Sequence, residues 1–301
     1  MRHRLVHELR LFFIALQFFT RVPVPAWVGY TPAWMHASAR HYPLVGVCVG
    51  GVAAAVLGLA AQFWPLPVAV GLSMAATVWL TGGFHEDGLA DTCDGLGGTV
   101  SRERALLIMK DSRLGSYGAL GLIGVLGLKA ATLHGLAGMD LFQAALALVW
   151  AHAVSRAVPV ALLRWLPYAG DAEHAKAKPM AQHVDAGGLA TVLVGVMVLS
   201  GVALALGAGA RTLLSAGLGV LLLTAFCWHW YRRRLGGYTG DTLGAAQQLT
   251  ELAACLGWLA ALHTPGGGWT AALARPIGMA SVMATAWTHL SALLSSGGPI
   301  G

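Results

Sequence analysis

The chain has 301 residues, of which 56% are hydrophobic and only 11% charged, with a formal net charge of +6 and a mean hydropathy of +0.66. A soluble domain would carry about 25% charged residues, so this composition excludes a soluble enzyme and points to a polytopic membrane protein. The basic residues are scattered among connections rather than clustered, which excludes nucleic acid as a partner.

Residues 1–20 open with Arg2, Arg4 and Arg10 and continue into an apolar run ending at Phe19. No small-residue cleavage site follows, so the segment reads as an interfacial helix lying along the membrane and not as a signal peptide. Apolar runs follow at 44–64, 66–83, 116–138, 141–163, 187–207, 211–230 and 243–263. Each is close to the roughly 20 residues a helix needs to cross a bilayer. The fold class is therefore all-α, a transmembrane helix bundle of about seven spans in a single catalytic domain. A weaker run at 269–293, interrupted by Arg275 and Pro276, reads as an eighth span or an interfacial tail. It lies in a C-terminal extension, 264–301, with no assignable role. Segments 1–43, 84–115, 164–186 and 231–242 hold 5, 4, 3 and 3 Lys or Arg, against one, Arg211, on the opposite side. Lys and Arg favour cytoplasmic loops, which orients those four segments to the cytoplasm of a bacterial inner membrane.

The chemistry concentrates in one of them. Gly82-Gly-Phe-His-Glu-Asp-Gly-Leu-Ala-Asp-Thr-Cys-Asp-Gly95 carries Glu86, Asp87, Asp91 and Asp94, and Asp111 follows in the same inter-helix segment; the whole chain has only 13 Asp and Glu. Carboxylates this dense repel unless a cation or protons neutralise them. Asp87, Asp91 and Asp94 fall at i, i+4 and i+7, one face of a helix. Oxygen ligands of that kind suit a hard divalent ion, Mg²⁺ first and Mn²⁺ second, held by few carboxylates plus substrate phosphates. The bland alternative is a solvated acidic helix end. Cys93 sits among the acids, but a thiolate suits soft metals. The four cysteines show neither disulfide nor zinc spacing.

Lys110 and Arg113 flank Asp111, and cations beside a metal are how phosphoryl-transfer centres share the charge on non-bridging oxygens. Arg102 and Arg104 read as surface groups. Arg156 lies within the fourth run, one turn after His152, and an ionisable residue inside a span normally marks a polar path; snorkelling to the cytoplasmic surface is the alternative. Gln247 and Glu251 share a face of the seventh run and read as helix-joining groups, with Glu251 a weaker site candidate. Lys129, His134 and His229 look isolated and structural. Gly236-Gly-Tyr-Thr-Gly-Asp-Thr-Leu-Gly-Ala245 is a glycine turn presenting Thr239 and Asp241 where a helix begins. Asp241 reads as an N-cap, alone or with a contact to substrate or metal. No Gly-x4-Gly-Lys-Ser/Thr loop is present, so any nucleotide must bind through its phosphates at the membrane face.

The acidic stretch, followed by Ile108-Met-Lys-Asp-Ser-Arg-Leu-Gly115, resembles the signature of the cobalamin synthase (adenosylcobinamide-GDP ribazoletransferase) family. Thr20-Arg-Val-Pro23, Tyr42-Pro-Leu-Val-Gly46 and the 236–245 motif resemble the same family, and the resemblance covers about residues 10–263. It departs at Glu86, where the family usually carries an apolar residue, and at the C-terminal extension. The resemblance implies an enzyme that joins adenosylcobinamide-GDP and α-ribazole, or its 5′-phosphate, giving adenosylcobalamin, or its 5′-phosphate, and GMP. The implied metal ligands are Asp87, Asp91, Asp94, Asp111 and Glu86, with Asp94 as ligand or general base. Substrate contacts fall to Lys110, Arg113, Arg156, His85, Thr239 and Asp241. Membrane lipid and other enzymes of nucleotide-loop assembly are the further expected partners. Two alternatives stay open. A CDP-alcohol phosphotransferase would also place carboxylates at a helix end, but its signature has Arg where Asp91 stands, and the downstream Asp pair of that signature is missing here. A divalent-cation transporter would use the acids as an ion path, although such sites sit near mid-membrane.

Overall fold

The computed structural model describes residues 2–170 and 184–264. The 269–293 run, and all of the predicted extension beyond Thr264, lie outside the described residues. Those described are almost entirely helical, and the one β-type contact among them is an isolated bridge between Tyr168 and Tyr238. Met1–Ala260 form one compact unit; the described part of a second, from Ala261, is the last few residues reaching Thr264.

Helix α1 (Arg2–Phe19) buries Leu11, Ile14, Ala15 and Phe19 and leaves Leu5 and Leu9 exposed. A short α2 (Pro32–Ser38) follows, capped by the Thr31 hydroxyl, which accepts from the Trp34 N–H at 3.2 Å. It leads through a 3₁₀ turn into α3 (Tyr42–Ala60). α3 packs against α8 (Leu141–Trp165), and small residues set how closely. A Cβ at Gly50 would stand 2.7 Å from the Val149 Cα, and one at Gly46 2.7 Å from the His152 carbonyl carbon. Membrane helices lack a hydrophobic drive to associate and rely on such close approach.

α4 (Leu66–Thr81) ends where Gly82 and Gly83 both adopt left-handed conformations, with φ of 70° and 71°. These two glycines turn the chain by 90° into α5 (Phe84–Leu96), the acidic helix. α6 (Arg102–Met109) is a short helix capped by Ser101. Then come α7 (Ser116–Met139), α8 with its Asp140 N-cap, α9 (Ala186–Ala205), α10 (Ala210–Leu235) and α11 (Gly240–His263).

Among the described residues, five segments are long and apolar enough to cross a membrane: Pro32–Ala60, Ser116–Met139, Leu141–Trp165, Ala186–Ala205 and Ala210–Leu235. The bent pair α4 and α5 would make a sixth. The polytopic all-α class expected from composition is the one observed, and the count differs from seven for two physical reasons. α4 has only 16 residues before the glycine break. α11 has 24, but it carries Asp241, Gln247, Gln248 and Glu251 and is not among the apolar helices. Its close neighbour is α10, where a Cβ at Gly219 would meet the Ala253 carbonyl oxygen at 2.8 Å.

Candidate active site

α5 is held at both ends and in the middle. Near its N-terminus, the Arg21 N–H donates to the Leu80 carbonyl at 2.8 Å beside the glycine break. In its middle, Gly88 lies on the start of α11: a Cβ there would stand 2.8 Å from the Asp241 carbonyl oxygen. At its C-terminus, the Arg234 guanidinium donates to the Leu96 and Gly98 carbonyls at 3.0 and 2.7 Å. Arg102 returns the favour, donating to the Leu235 carbonyl at 2.7 Å and the Ala169 carbonyl at 3.0 Å. Arg102 is exposed, as its loop position suggested, and is also a clasp between α6, the end of α10 and the segment after α8.

That clasp fixes the glycine turn as well. The Ala169 N–H donates to the Tyr238 carbonyl and the Tyr238 N–H to the Pro167 carbonyl, at 2.8 and 3.0 Å. Thr239 is buried and its hydroxyl accepts from the Thr242 N–H at 3.3 Å, while its own N–H donates to the Thr242 hydroxyl at 2.8 Å. The cap of α11 is thus Thr239, and Asp241 sits in the first helical turn beside Gly88. A carboxylate there is favoured by the helix dipole whatever else it does.

The sequence-predicted acids divide. Asp87 is exposed and Asp91 half-buried, one turn apart on α5. Asp94 is engaged: its two carboxylate oxygens accept from the Gly115 and Gly118 N–H groups, each at 2.8 Å. It anchors the N-terminus of α7, where unpaired N–H groups favour an anion. Asp111 stands apart, in a two-pronged pair with Arg113 whose Nη2–Oδ2 distance is 2.6 Å. The Arg113 guanidinium and its backbone N–H hold this carboxyl down at about 2. Arg113 itself is 86% exposed, and Lys110, which ends α6, is exposed too. Among the described residues, no three His, Cys, Asp or Glu side chains gather as a metal cage. The five-carboxylate set read from the sequence is therefore not assembled as one shell.

Two more expected contacts lie inside. His85 is 3% exposed and stacks on Phe19 with ring centroids 5.3 Å apart, next to a small cavity lined by Tyr42, Pro159 and Leu243 among others. Arg156 is 1% exposed, its Nη1 donating to the His152 carbonyl at 2.9 Å and lying 4.0 Å from Glu251. Neither a snorkelling arginine nor one standing open to a phosphate matches that burial.

Arg156 belongs to a cluster that sequence reasoning missed. Glu251 on α11 pairs with Lys129 on α7 and with His152 Nδ1 on α8 at 2.8 Å. Gln247 donates to Glu251 at 2.6 Å and to the Ser155 hydroxyl at 2.9 Å. Gln248 donates to Glu86 at 3.0 Å and to the Gln247 side-chain oxygen at 3.1 Å. Lys129, read as isolated, is thus paired, and Glu86 turns inward, away from a shared shell with Asp87. Its second oxygen is buried with no hydrogen-bond partner. The available sequence signal was that Lys129, His152, Arg156 and Glu251 each fall within an apolar run, and charges there must pair.

The comparisons with known proteins agree with one another. The cobalamin-5-phosphate synthase family matches residues 11–259. A protein named adenosylcobinamide-GDP ribazoletransferase from Leptothrix cholodnii is 79% identical, over 85% of this chain and 97% of its own length. Proteins of the same name from Polaromonas naphthalenivorans and Shewanella oneidensis are 44% and 46% identical, over 83% and 81% of this chain and 97% and 92% of their own lengths. No solved structure matches. The acidic helix, the Lys110–Gly115 segment and the glycine turn all fall inside the matched region, and the chain belongs to the cobalamin-5-phosphate synthase family.

Proposed function

We propose that this membrane enzyme joins adenosylcobinamide-GDP to α-ribazole, or to α-ribazole 5′-phosphate, and releases GMP. A ribazole hydroxyl oxygen forms a bond to the cobinamide-linked phosphorus. The bond from that phosphorus to the bridging pyrophosphate oxygen breaks, its electron pair leaving on GMP, and the hydroxyl proton passes to a carboxylate of the Asp87/Asp91 face. The observation that carries this reading is the crossing of α5 and α11 at Gly88, which brings the acidic helix against the glycine turn of the 236–245 motif.

Asp87 and Asp91 fit a Mg²⁺ ion held jointly with substrate phosphates, since Mg²⁺ usually takes one or two carboxylates and few other protein ligands. When bound, the ion supplies charge stabilisation at the pyrophosphate oxygens; Mn²⁺ fits the same donors. Asp94 already accepts the Gly115 and Gly118 N–H groups with its two carboxylate oxygens. Its part is to hold α7 on α5. Lys110 and Arg113, exposed on the same connecting segment, attract the pyrophosphate, and Thr239 and Asp241 shape the facing side. Arg156 and His85 act from the interior, without touching substrate.

Purified protein in detergent should release GMP only when both the cobinamide donor and a ribazole are present. Excess chelator should abolish release and Mg²⁺ restore it. Full turnover in chelator would remove the metal from the reading, and GMP release without a ribazole would remove the transfer. The charge split supports a cytoplasmic position for the 84–115 segment, at the face of a bacterial inner membrane. A cysteine introduced there, in a background lacking the four native cysteines, should label only from the cytoplasmic side.

A further inference from the structure

We propose that Gln248 is a positioning residue: through Glu86 it sets the rotation of α5, and so the direction in which Asp87 and Asp91 face. The inference rests on the assignment of those two acids to the reaction. α5 needs such a device. The left-handed glycines 82 and 83 turn the chain by 90° between α4 and α5, so the two helices are not collinear. The groups that grip α5 therefore set its rotation: Arg234 and the α7 N–H groups toward its C-terminal end, and Glu86 in its first turn. Successive residues on a helix point about 100° apart, and an inward Glu86 therefore carries an outward Asp87. Glu86 is the α5 acid that reaches the buried cluster, and Gln248 is what it meets.

The side-chain amide of Gln248 has its orientation imposed. Its oxygen faces the Lys129 ammonium at 3.5 Å, and its nitrogen donates to Glu86 at 3.0 Å. An ammonium only donates and a carboxylate only accepts, so the amide is oxygen-first toward Lys129 and nitrogen-first toward Glu86. Lys129 is in turn held by Glu251, which His152 and Gln247 also hold. The chain of contacts runs from buried side chains on α7, α8 and α11 out to the acidic helix. The buried cluster thereby has a task beyond joining helices: it presents a polarised amide to the first turn of the acidic helix.

The test replaces Gln248 with methionine, which is of similar volume and cannot donate. Gln248→Met should lower kcat for GMP release about 10²-fold, the scale of a misplacement of about 1 Å in a reacting site, while leaving KM for both substrates unchanged. Glu86→Ala breaks the same contact from the half-buried side, and serves where Gln248→Met fails to fold. The double variant should be no slower than the slower single one, because one contact is lost once. Losses that multiply, or full turnover in a folded Gln248→Met protein, would overturn the proposal. A second readout needs no activity. In the cysteine-free background, a cysteine at exposed position 87 should react with maleimide faster than one at buried position 90, and Gln248→Met should lower that ratio. An unchanged ratio overturns the proposal. A lowered ratio in a protein that releases no GMP even with Gln248 intact supports the positioning and discards the proposed reaction instead.

Discussion

The acidic helix and the buried cluster use the same side-chain chemistry to opposite ends. On α5, Asp87 is exposed and stands one turn from Asp91. In the interior, Glu251 is 1% exposed and surrounded by Lys129, His152 and Arg156. Removing a charge from water in the membrane interior is costly unless a partner and hydrogen bonds replace the hydration. Hence the interior acid is matched, whereas the exposed Asp87 keeps its hydration. The lesson is that carboxylate density alone does not mark the reacting groups. Of the acids on α5, Glu86 is turned inward and Asp94 holds a helix end, which sets both apart from the exposed Asp87.

The sharpest way to break this contrast is to neutralise one member on each side. Asp87→Asn should lower turnover about 10³-fold, the several kcal/mol a metal supplies at tenfold per 1.36 kcal/mol, with partial recovery at high Mg²⁺. The melting temperature in detergent should not move. Glu251→Gln should do the reverse. It leaves buried cations without their partner, at a cost of about 3–5 kcal/mol, read as a large fall in melting temperature, and Mg²⁺ should not rescue it. Equal melting for the two variants would mean that the two regions do not differ as described.

Asp94→Asn sharpens the division within α5. Losing one carboxylate oxygen at the start of α7 should cost about 1 kcal/mol, the usual worth of such a cap. The Mg²⁺ concentration needed for half-maximal activity should stay where it was; a clear rise would return Asp94 to the metal shell. The smallest effect concerns Asp111. Its carboxyl is depressed from 3.8 to about 2 in the folded chain, so its pairing with Arg113 is present above about pH 3.8 and is lost as pH falls through that window. Arg113→Ala should return the Asp111 titration, followed by NMR of a side-chain carbonyl label, toward its ordinary value.

Much of this molecule was legible without coordinates. Membrane class follows from composition, because apolar length is a local property of the chain. The acidic stretch, the Lys110–Arg113 segment and the glycine turn are each contiguous, so their chemistry could be read from neighbouring letters. The left-handed break at Gly82 and Gly83 likewise sits in the sequence as a glycine pair. What only the tertiary structure decided is which distant groups meet. Lys129, His152, Arg156 and Glu251 lie on three helices, and nothing local in any one of them names its partner. Asp94 continues the face of Asp87 and Asp91 in helical spacing, yet the position of α7 makes it an anchor. Glu86 is adjacent to Asp87 in the chain but is carried to the other side by the helical turn, where Gln248 waits 162 residues away. Periodicity fixes which residues share a face; only the packing of one helix on another determines what that face touches.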